Sequence, residues 1–218
     1  MSPKTAFQRA RKPAEQELRR AAILTAAAEL FDAEGEQGAG LSAIAAKAGF
    51  TKSNVYRYFE SREQVLISLF MDEFDNLVER FERDVATVSH GDIDALSEVA
   101  TATLIARPRF AALLSIVASV LESNVSVEAI LEMKRGLAIK QGRIAVAIQA
   151  KLPGTTLADC GWAASMCATL LAGMWPNVSP TPAAAEIMAM PEFAHLKPVP
   201  ERDLKRAMRA LLISILPA

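Results

Sequence analysis

Apolar residues recur every three or four positions along nearly the whole chain, and no segment keeps the strict alternation of a half-buried strand. This spacing is typical of amphipathic helices, so the predicted fold class is all-α. Hydrophobic residues make up 51% of the 218-residue chain, which is enough to bury a core without disulfide bonds. The sequence therefore predicts a purely helical protein with one large domain or two modest ones.

Glycines, prolines and capping residues divide this pattern into separate helices. The predicted ranges are 15–33, 41–48, 52–59, 61–88, 93–106, 108–123, 127–151, 156–175 and 201–216. Thr51 is the predicted cap of the third helix, and Ser61 with Gln64 has the spacing of a capping box. Because no linker precedes Ser61, the long fourth helix is expected to connect two parts of the molecule rigidly. The proline-rich range 176–200 is predicted to be irregular.

Composition also limits the compartment and the chemistry. The only cysteines, Cys160 and Cys167, form no disulfide framework, which favours a reducing, cytoplasmic location. The start of the chain lacks the apolar stretch of a signal peptide, and the run 162–175 is too short to span a bilayer, so no membrane association is expected. His90 and His195 have no companions at metal-ligand spacing. We therefore expect no metal site and no cofactor.

Charge is distributed unevenly although the formal net charge is only −1. Residues 1–62 are net positive, and the remainder is net negative. The positive charge is densest at the start of the chain, in Lys4, Arg9, Arg11, Lys12, Arg19 and Arg20. Such a basic end indicates either a polyanionic partner that meets this end only or a solvated tail.

Two short helices joined by a glycine turn, with a longer helix before them, meet the physical requirements of a helix-turn-helix. Ile23, Ala27 and Phe31 supply a platform for the later pair, whose own apolar residues include Ile44 and Val55. The residues left facing away from this core are Lys52, Ser53, Asn54, Tyr56, Arg57 and Tyr58. These donors and planar groups are of the kind that contact phosphates and base edges.

The first motif in this region reads Ile23-Leu24-x-Ala26-Ala27-x-x-Leu30-Phe31-x-x-x-Gly35. The second reads Ile44-Ala45-x-x-Ala48-Gly49-Phe50-Thr51-Lys52-x-Asn54-Val55-Tyr56-Arg57-Tyr58-Phe59-x-Ser61-Arg62-Glu63-x-Val65. Together they resemble the DNA-binding domain of the TetR (tetracycline-repressor) family over residues 15–70, about a quarter of the chain. The resemblance implies a DNA-binding domain at 1–60 and a helical effector-binding and dimerisation domain at 61–218.

The resemblance also implies roles for single residues. Lys52, Ser53 and Asn54 occupy the start of the recognition helix, which enters the major groove. Tyr56, Tyr58 and Arg62 match positions that contact the phosphate backbone. Gly40 departs from the family, which usually has Ser or Thr there as a helix cap, and Ser42 is expected to substitute in part. The predicted DNA-binding residues are Ser42, Thr51, Lys52, Ser53, Asn54, Tyr56, Arg57, Tyr58 and Arg62.

The second half carries no comparable motif, but two of its helices suggest an interface. The predicted dimer residues are a stripe of small residues and a stripe on the last helix, namely Gly161, Ser165, Ala168, Ala172, Leu204, Met208, Leu211 and Ile215. These helices fit the four-helix dimer interface of the family, and the alternative is that both are internal to a monomer.

Any cavity among the middle helices should be mainly apolar, because charges are few between residues 110–120 and absent between 161–175. A strongly charged ligand would be costly to desolvate there. We therefore predict a small, mostly hydrophobic or aromatic effector, with at most one polar or anionic end. The candidate contacts are Phe110, Leu114, Met166 and Met174.

Three functions follow from these observations. The first is a homodimeric repressor that an effector releases from a palindromic operator on double-stranded DNA. The second is an all-α enzyme, which the sequence disfavours because it lacks a nucleophile–base pair or a phosphate-binding glycine loop. The third is an architectural DNA-binding protein without an effector. A cavity in the second half would favour the first, converging titratable groups the second, and a solid core the third.

Cys160 and Cys167 share a helix face and are either a redox pair or buried, inert thiols.

Overall fold

The structure is a computed structural model that describes the backbone of residues 3–217 and the side chains of residues 14–217. The side chains of Lys4, Arg9, Arg11 and Lys12 therefore lie outside the described residues. Within the described range there are helices and no strand, which confirms the all-α prediction. The helices are α1 (Pro3–Gly38), α2 (Leu41–Lys47), α3 (Lys52–Val55), α4 (Arg62–Ala86), α5 (Ile93–Ile105), α6 (Pro108–Val117), α7 (Val127–Lys151), α8 (Leu157–Val178), α9 (Pro182–Met188) and α10 (Pro200–Ser214), with 3₁₀ turns at Leu121–Asn124 and Pro191–Leu196.

The first three helices form the helix-turn-helix that the sequence predicts. α1 packs against α2 and α4, and α2 packs against α3. Ile23, Ile44 and Val55 are fully buried at the meeting point of these helices. The apolar spacing of the three segments therefore converges on one small core.

The turn between α2 and α3 is fixed by its backbone. Gly49 has φ +73°, a left-handed conformation that costs glycine little. The Phe50 N–H donates to the Ala45 carbonyl at 2.8 Å, and the Gly49 N–H donates to the Ala46 carbonyl at 3.1 Å, which is a Schellman motif. Thr51 then caps α3 as predicted, because its Oγ1 accepts the Asn54 N–H at 3.2 Å.

The long helix α4 belongs to both halves of the molecule. Its predicted capping box is present: Ser61 Oγ accepts the Gln64 N–H at 3.2 Å, and Gln64 Oε1 accepts a backbone N–H in return, although from Glu60 and not from Ser61. One end of α4 packs on α1, while the rest packs on α5, α6 and α7. The helix therefore runs without a break from one half into the other, and a rigid connection stays a prediction.

The second half is a layered helical bundle. α7 packs between α4 and α8, and α10 lies across α5 and α8. The axes of α5 and α6 differ by 81° at the break between Ile105 and Pro108. This bend separates the two helices and lets both contact α4.

The proline-rich range 176–200 was predicted to be irregular, and this is wrong. It contains the end of α8, all of α9 and a 3₁₀ turn. Pro182, Pro191 and Pro200 each lie in the first turn of a helical segment. Proline is well suited to that position because the N–H that it lacks would have no partner within the helix.

By length and composition, α8 could cross a membrane, with a mean hydropathy of 1.2 over its most apolar window. Length and composition are weak indications by themselves, because core helices share them. One face of α8, which includes Cys160, Cys167 and Leu171, is buried against neighbouring helices. Trp162, on the opposite face, and Leu170, at the edge of the buried face, are 48% and 47% exposed.

Candidate DNA-binding surface and ligand cavity

The outer surface of α3 presents the polar residues that the sequence predicts. Thr51, Lys52, Ser53, Tyr56 and Arg57 are all exposed. The regular α-helix ends at Val55, but the Tyr56, Tyr58 and Phe59 N–H groups still donate to carbonyls three or four residues earlier. The helical turn therefore continues to Phe59, close to the predicted end.

The side chains of this surface are arranged to meet a polyanion. Lys52 Nζ lies 5.9 Å from the centre of the Tyr56 ring, one helical turn away. Tyr56 is 51% exposed, so its hydroxyl is available to donate to an acceptor outside the protein. An ammonium, a phenol and the guanidinium of Arg57 on one short segment suit contacts with phosphate and with base edges. Asn54 and Tyr58 are only half-buried and lie at the margin of this surface.

Ser42 does not replace the missing cap of α2. Gly40 is the cap residue, and no side chain hydrogen-bonds to the free N–H groups there. Ser42 is the second residue of the helix, so its hydroxyl lies past the capping position. The expectation of a substitute cap is therefore wrong, while Ser42 is exposed and stays a predicted DNA contact.

Arg62 has acidic partners within the protein. Its guanidinium donates to Glu36 Oε1 at 2.8 Å and to Glu63 Oε1 at 3.1 Å. These contacts tie the start of α4 to the end of α1 and leave the Arg62 side chain 24% exposed. A phosphate would have to compete with these two carboxylates, and the contact of Arg62 with DNA stays a prediction.

A cavity of about 240 Å³ lies in the second half of the molecule, among α4, α5, α6, α7 and α8. One wall is aromatic: the Phe110 ring stacks on Phe70 at 5.4 Å and meets Phe74 at 5.2 Å between ring centres. The lining is otherwise mostly aliphatic, with Leu77, Phe81, Ala100, Leu104, Leu114, Val117, Leu137, Ile144, Ile148 and Met208 among its members. Such a lining suits an apolar ligand.

The structure brings two of the four predicted ligand contacts to this cavity. Phe110 and Leu114 line it, but Met166 and Met174 do not. α8 meets the cavity through Ala164, Cys167 and Ala168 instead. Met166 lies on another side of α8, and Met174 is about two turns farther along.

The prediction also missed the walls contributed by α4 and α7. Phe70, Phe74 and Phe81 belong to the apolar stripe of α4, which the sequence marks as inward-facing. That stripe indicates burial but not the presence of a cavity.

The polar part of the lining is small. Glu122 and Lys134 are the charged residues among the side chains that line the cavity, and they pair with each other at 2.5 Å. Gln141 and Thr103 add an amide and a hydroxyl. Nothing in this set provides the converging acids, bases and nucleophiles of an active site.

Cys167 also lines the cavity, and burial raises the pKa of its thiol to about 12. The pKa of Cys160 is raised too, chiefly by burial. A thiol with a raised pKa holds little thiolate at neutral pH and reacts slowly. These pKa shifts favour buried, inert thiols over a redox pair.

A cluster of ion pairs links the cavity wall to the helix-turn-helix. Arg109 Nε and Nη2 donate to both carboxylate oxygens of Asp32 on α1, at 2.8 and 2.5 Å, and Nη1 donates to Glu73 on α4 at 2.7 Å. The hydrogen bonds to Asp32, with the added charge of Glu73, raise the pKa of the Arg109 guanidinium. Arg109 precedes Phe110 directly, so one segment of α6 contacts both the cavity and α1.

The structure alters the predicted dimer surface. Leu204 and Met208 are only 1% and 4% exposed, because α10 turns this stripe toward α5 and α8 of the same chain. Ala168 faces the cavity, and a Cβ added to Gly161 would lie 3.8 Å from Ala145 on α7. The small residues Gly161 and Ala168 therefore serve packing and a cavity within the protomer. Ser165, Ala172, Leu211 and Ile215 are half-buried.

Comparison with known proteins places this architecture in a family. The family description "Tetracyclin repressor-like, C-terminal domain" matches residues 71–216, about two thirds of the chain. The chain belongs to the TetR family. A second description, "Bacterial regulatory proteins, tetR family", matches residues 23–69, which contain the helix-turn-helix. The expectation of a regulatory protein and not an enzyme is thus confirmed at the level of the TetR family.

Two curated relatives are similar to the DNA-binding region of this TetR-family chain. The "Fatty acid metabolism regulator protein" of Bacillus subtilis is 36% identical over 63 residues, which is 29% of this chain and 32% of the relative. The "HTH-type transcriptional activator FasR" of Mycolicibacterium smegmatis is 32% identical over 71 residues, which is 33% of this chain and 32% of the relative. The matched region thus spans about a third of each relative.

Solved structures resemble the whole chain. A putative transcriptional regulator from Rhodococcus sp. RHA1 has a TM-score of 0.62 at 19% identity, over 91% of this chain and 95% of that one. The fatty acid degradation regulator FadR from Bacillus halodurans has a TM-score of 0.57 at 18% identity, over 89% and 94%. At these identities the comparison supports the fold alone, which is the two-part helical architecture of the TetR family.

Proposed function

We propose that this TetR-family chain is a ligand-responsive repressor that binds a near-palindromic operator as a two-fold dimer and releases it when an apolar ligand fills the cavity. The observation that carries the proposal is the continuity of α4. This helix packs on α1 of the helix-turn-helix and also supplies Phe70, Phe74 and Phe81 to the cavity wall. A ligand that changes the position of α4 would change the position of the DNA-binding surface.

The proposed effector is a small molecule with an extended apolar body. The aromatic shelf of Phe70, Phe74 and Phe110 and the aliphatic walls offer dispersion contacts along a chain or a ring system. A regulator of fatty acid metabolism among the relatives suits an alkyl chain, but it is similar only over the DNA-binding region. The lining of the cavity, and not this relative, therefore supports the proposed effector class.

The proposed route of communication runs through α6. Phe110 touches the cavity, and its neighbour Arg109 holds Asp32 of α1 and Glu73 of α4. A ligand that displaces Phe110 moves the backbone at Arg109 and weakens the two hydrogen bonds from Arg109 to the carboxylate of Asp32. The ligand acts on DNA binding only if it favours one of the two arrangements.

The proposed dimer surface is the exposed apolar face of α8 together with the neighbouring face of α10. Trp162, Leu170 and Ile213 are 48%, 47% and 42% exposed, so each offers apolar surface that a partner would remove from water. α8 and α10 contact each other within the protomer. Pairing these faces between two protomers would give a four-helix interface and bring two α3 surfaces into two-fold symmetry.

The proposal is tested by selecting duplexes from random DNA with the full chain at moderate salt. We expect enrichment of a sequence with two matching half-sites, because two recognition helices related by a two-fold axis read such a site. The exposed-surface variant Lys52→Ala, with its fold verified by circular dichroism, serves as the control and should enrich the site less. Failure of the unchanged protein to enrich any sequence would reject operator binding.

The sensor part is tested by titrating straight-chain alcohols and carboxylates, such as decanol and decanoate, with and without the selected duplex. The operator must weaken ligand binding by the same factor by which the ligand weakens operator binding. Equal ligand affinities in both titrations would leave a DNA-binding protein without an effector.

A further inference from the structure

The mostly apolar cavity has one pair of charged side chains in its lining, Glu122 and Lys134. Glu122 lies on the 3₁₀ turn after α6, and Lys134 lies near the start of α7. Both side chains line the cavity, and Lys134 Nζ donates to Glu122 Oε1 at 2.5 Å. The remaining lining residues are apolar or uncharged.

This ion pair lies where a bound anion could take the place of Glu122. The Lys134 side chain is 51% exposed and that of Glu122 is 22% exposed, so water reaches the pair at the rim of the cavity. Pairs of this kind are held weakly because solvent screens them. A carboxylate or phosphate on a bound ligand could therefore replace Glu122 on the ammonium of Lys134.

The other cations of α7 do not line the cavity. Lys151, at the end of the helix, donates to the Ala86 and Val88 carbonyls at 2.9 and 2.7 Å. Lys140 pairs with Asp75 at 2.9 Å, and Arg143 forms two hydrogen bonds with Glu82, so both are directed to α4. Arg135, the neighbour of Lys134, is exposed and does not line the cavity. Lys134 is thus the cation that α7 presents to the cavity.

We infer that Lys134 anchors the head group of an anionic amphipathic ligand, whose apolar chain enters the cavity and whose negative end displaces Glu122. This inference rests on the proposed effector cavity and narrows its ligand class. The interior cannot hold a bare charge because desolvation is costly. A charged end must therefore stay at the rim, where Lys134 provides the opposite charge and three donors.

The experiment compares two probes of equal chain length, decanoate and decanol, by isothermal titration calorimetry at pH 8. We expect the unchanged protein to bind decanoate about five- to tenfold more tightly than decanol, as for a charge-assisted contact that is partly screened by water. Lys134→Met keeps the apolar stem and should reduce that ratio to one or below, because the carboxylate of Glu122 remains at the rim. Decanol affinity should stay the same.

Two further variants complete the test. Arg135→Met removes a neighbouring cation that does not line the cavity and should leave the ratio unchanged. Glu122→Gln removes the competing carboxylate and should raise decanoate affinity, whereas decanol affinity should not change. Circular dichroism and thermal unfolding verify that each variant is folded. All three positions should tolerate the change sterically, because Lys134 and Glu122 lie at the rim of the cavity and Arg135 is exposed.

The outcomes separate the inference from the proposed function. Equal binding of both probes, or a preference for decanoate that survives Lys134→Met, would overturn the role of Lys134 and leave the apolar cavity intact. Loss of the preference in Arg135→Met as well would show a diffuse electrostatic effect and would also overturn it. If neither probe binds, the proposed effector cavity is wrong and the inference falls with it.

Discussion

Arg57 and Arg62 lie close together in the sequence and in the predicted DNA surface, but the structure gives them different surroundings. Arg57 is exposed and borders a surface pocket that Glu15, Arg19 and Tyr58 also line. Arg62 is held by Glu36 and Glu63. A guanidinium in solvent can meet a phosphate at little cost, whereas a paired one must first break its ion pairs. Replacing Arg57 should therefore affect DNA affinity, whereas replacing Arg62 should affect the stability of the fold.

Arg57→Ala should weaken binding to all duplexes and reduce the salt dependence of DNA affinity by about one unit in each half-site. Arg62→Ala should leave that salt slope unchanged and lower the free energy of unfolding by about 1 kcal/mol, because two carboxylates lose their partner in a partly solvated site. Fluorescence anisotropy at several salt concentrations and urea unfolding measure the two quantities. A reduced salt slope in Arg62→Ala would instead support the predicted phosphate contact of Arg62.

At the scale of elements, α6 is the helix that contacts both the cavity and the helix-turn-helix. Its Phe110 packs on the aromatic residues of α4, and its Arg109 holds α1 through Asp32. The nearby Arg107 reaches Glu73 at 3.5 Å and the Asn76 carbonyl at 3.1 Å, both on α4. Arg109 therefore contacts both α1 and α4, whereas the two contacts of Arg107 are with α4. Variants of the two residues can distinguish the effect of the contact with α1 from that of the contacts with α4.

Arg109→Met should reduce the effect of ligand binding on operator affinity. In the unchanged protein a ligand such as decanoate should weaken operator binding on the order of tenfold, within the usual range of allosteric coupling. In Arg109→Met we expect most of that factor to disappear, with decanoate affinity in the absence of DNA preserved. Arg107→Met is the matched control and should retain the coupling. Paired titrations measure both, and full coupling in Arg109→Met would place the route elsewhere.

At the scale of the whole molecule, two exposed apolar faces on neighbouring helices point to association. The predicted stripe of Leu204 and Met208 is used inside the protomer, so it is not available to a partner. Trp162 and Leu170 on α8 and Ile213 on α10 remain outside this core. A dimer would remove these side chains from water and so stabilise the assembly.

Leu170→Glu should convert the dimer to monomers, because dimerisation would bury a carboxylate without a partner. Ile187→Glu, at a similarly exposed position on α9, should leave the dimer intact and controls for added charge. Light scattering measures the mass, and circular dichroism verifies the fold. Dimers that persist in Leu170→Glu would show that the interface lies on another face.

The features that depend on near neighbours along the chain follow from the sequence. Gly49 stops α2 because it can adopt a positive φ, Thr51 caps α3, and Ser61 with Gln64 starts α4. Each of these signals acts within a few residues. The helical class, the helix-turn-helix and the exposed residues of α3 therefore follow from spacing and from backbone chemistry.

Tertiary structure decided which partner each apolar or charged face meets. Helical periodicity marks the stripe of α10 for burial, but only packing shows that it faces α5 and α8 of the same chain. The ion pairs of Arg62 with Glu36 and of Arg109 with Asp32 join residues far apart in sequence. The cavity likewise forms where side chains from α4 to α8 fail to fill the space between them. The spacing of apolar residues along one helix specifies which side of that helix is buried. Contacts and cavities depend instead on how several helices are positioned relative to one another.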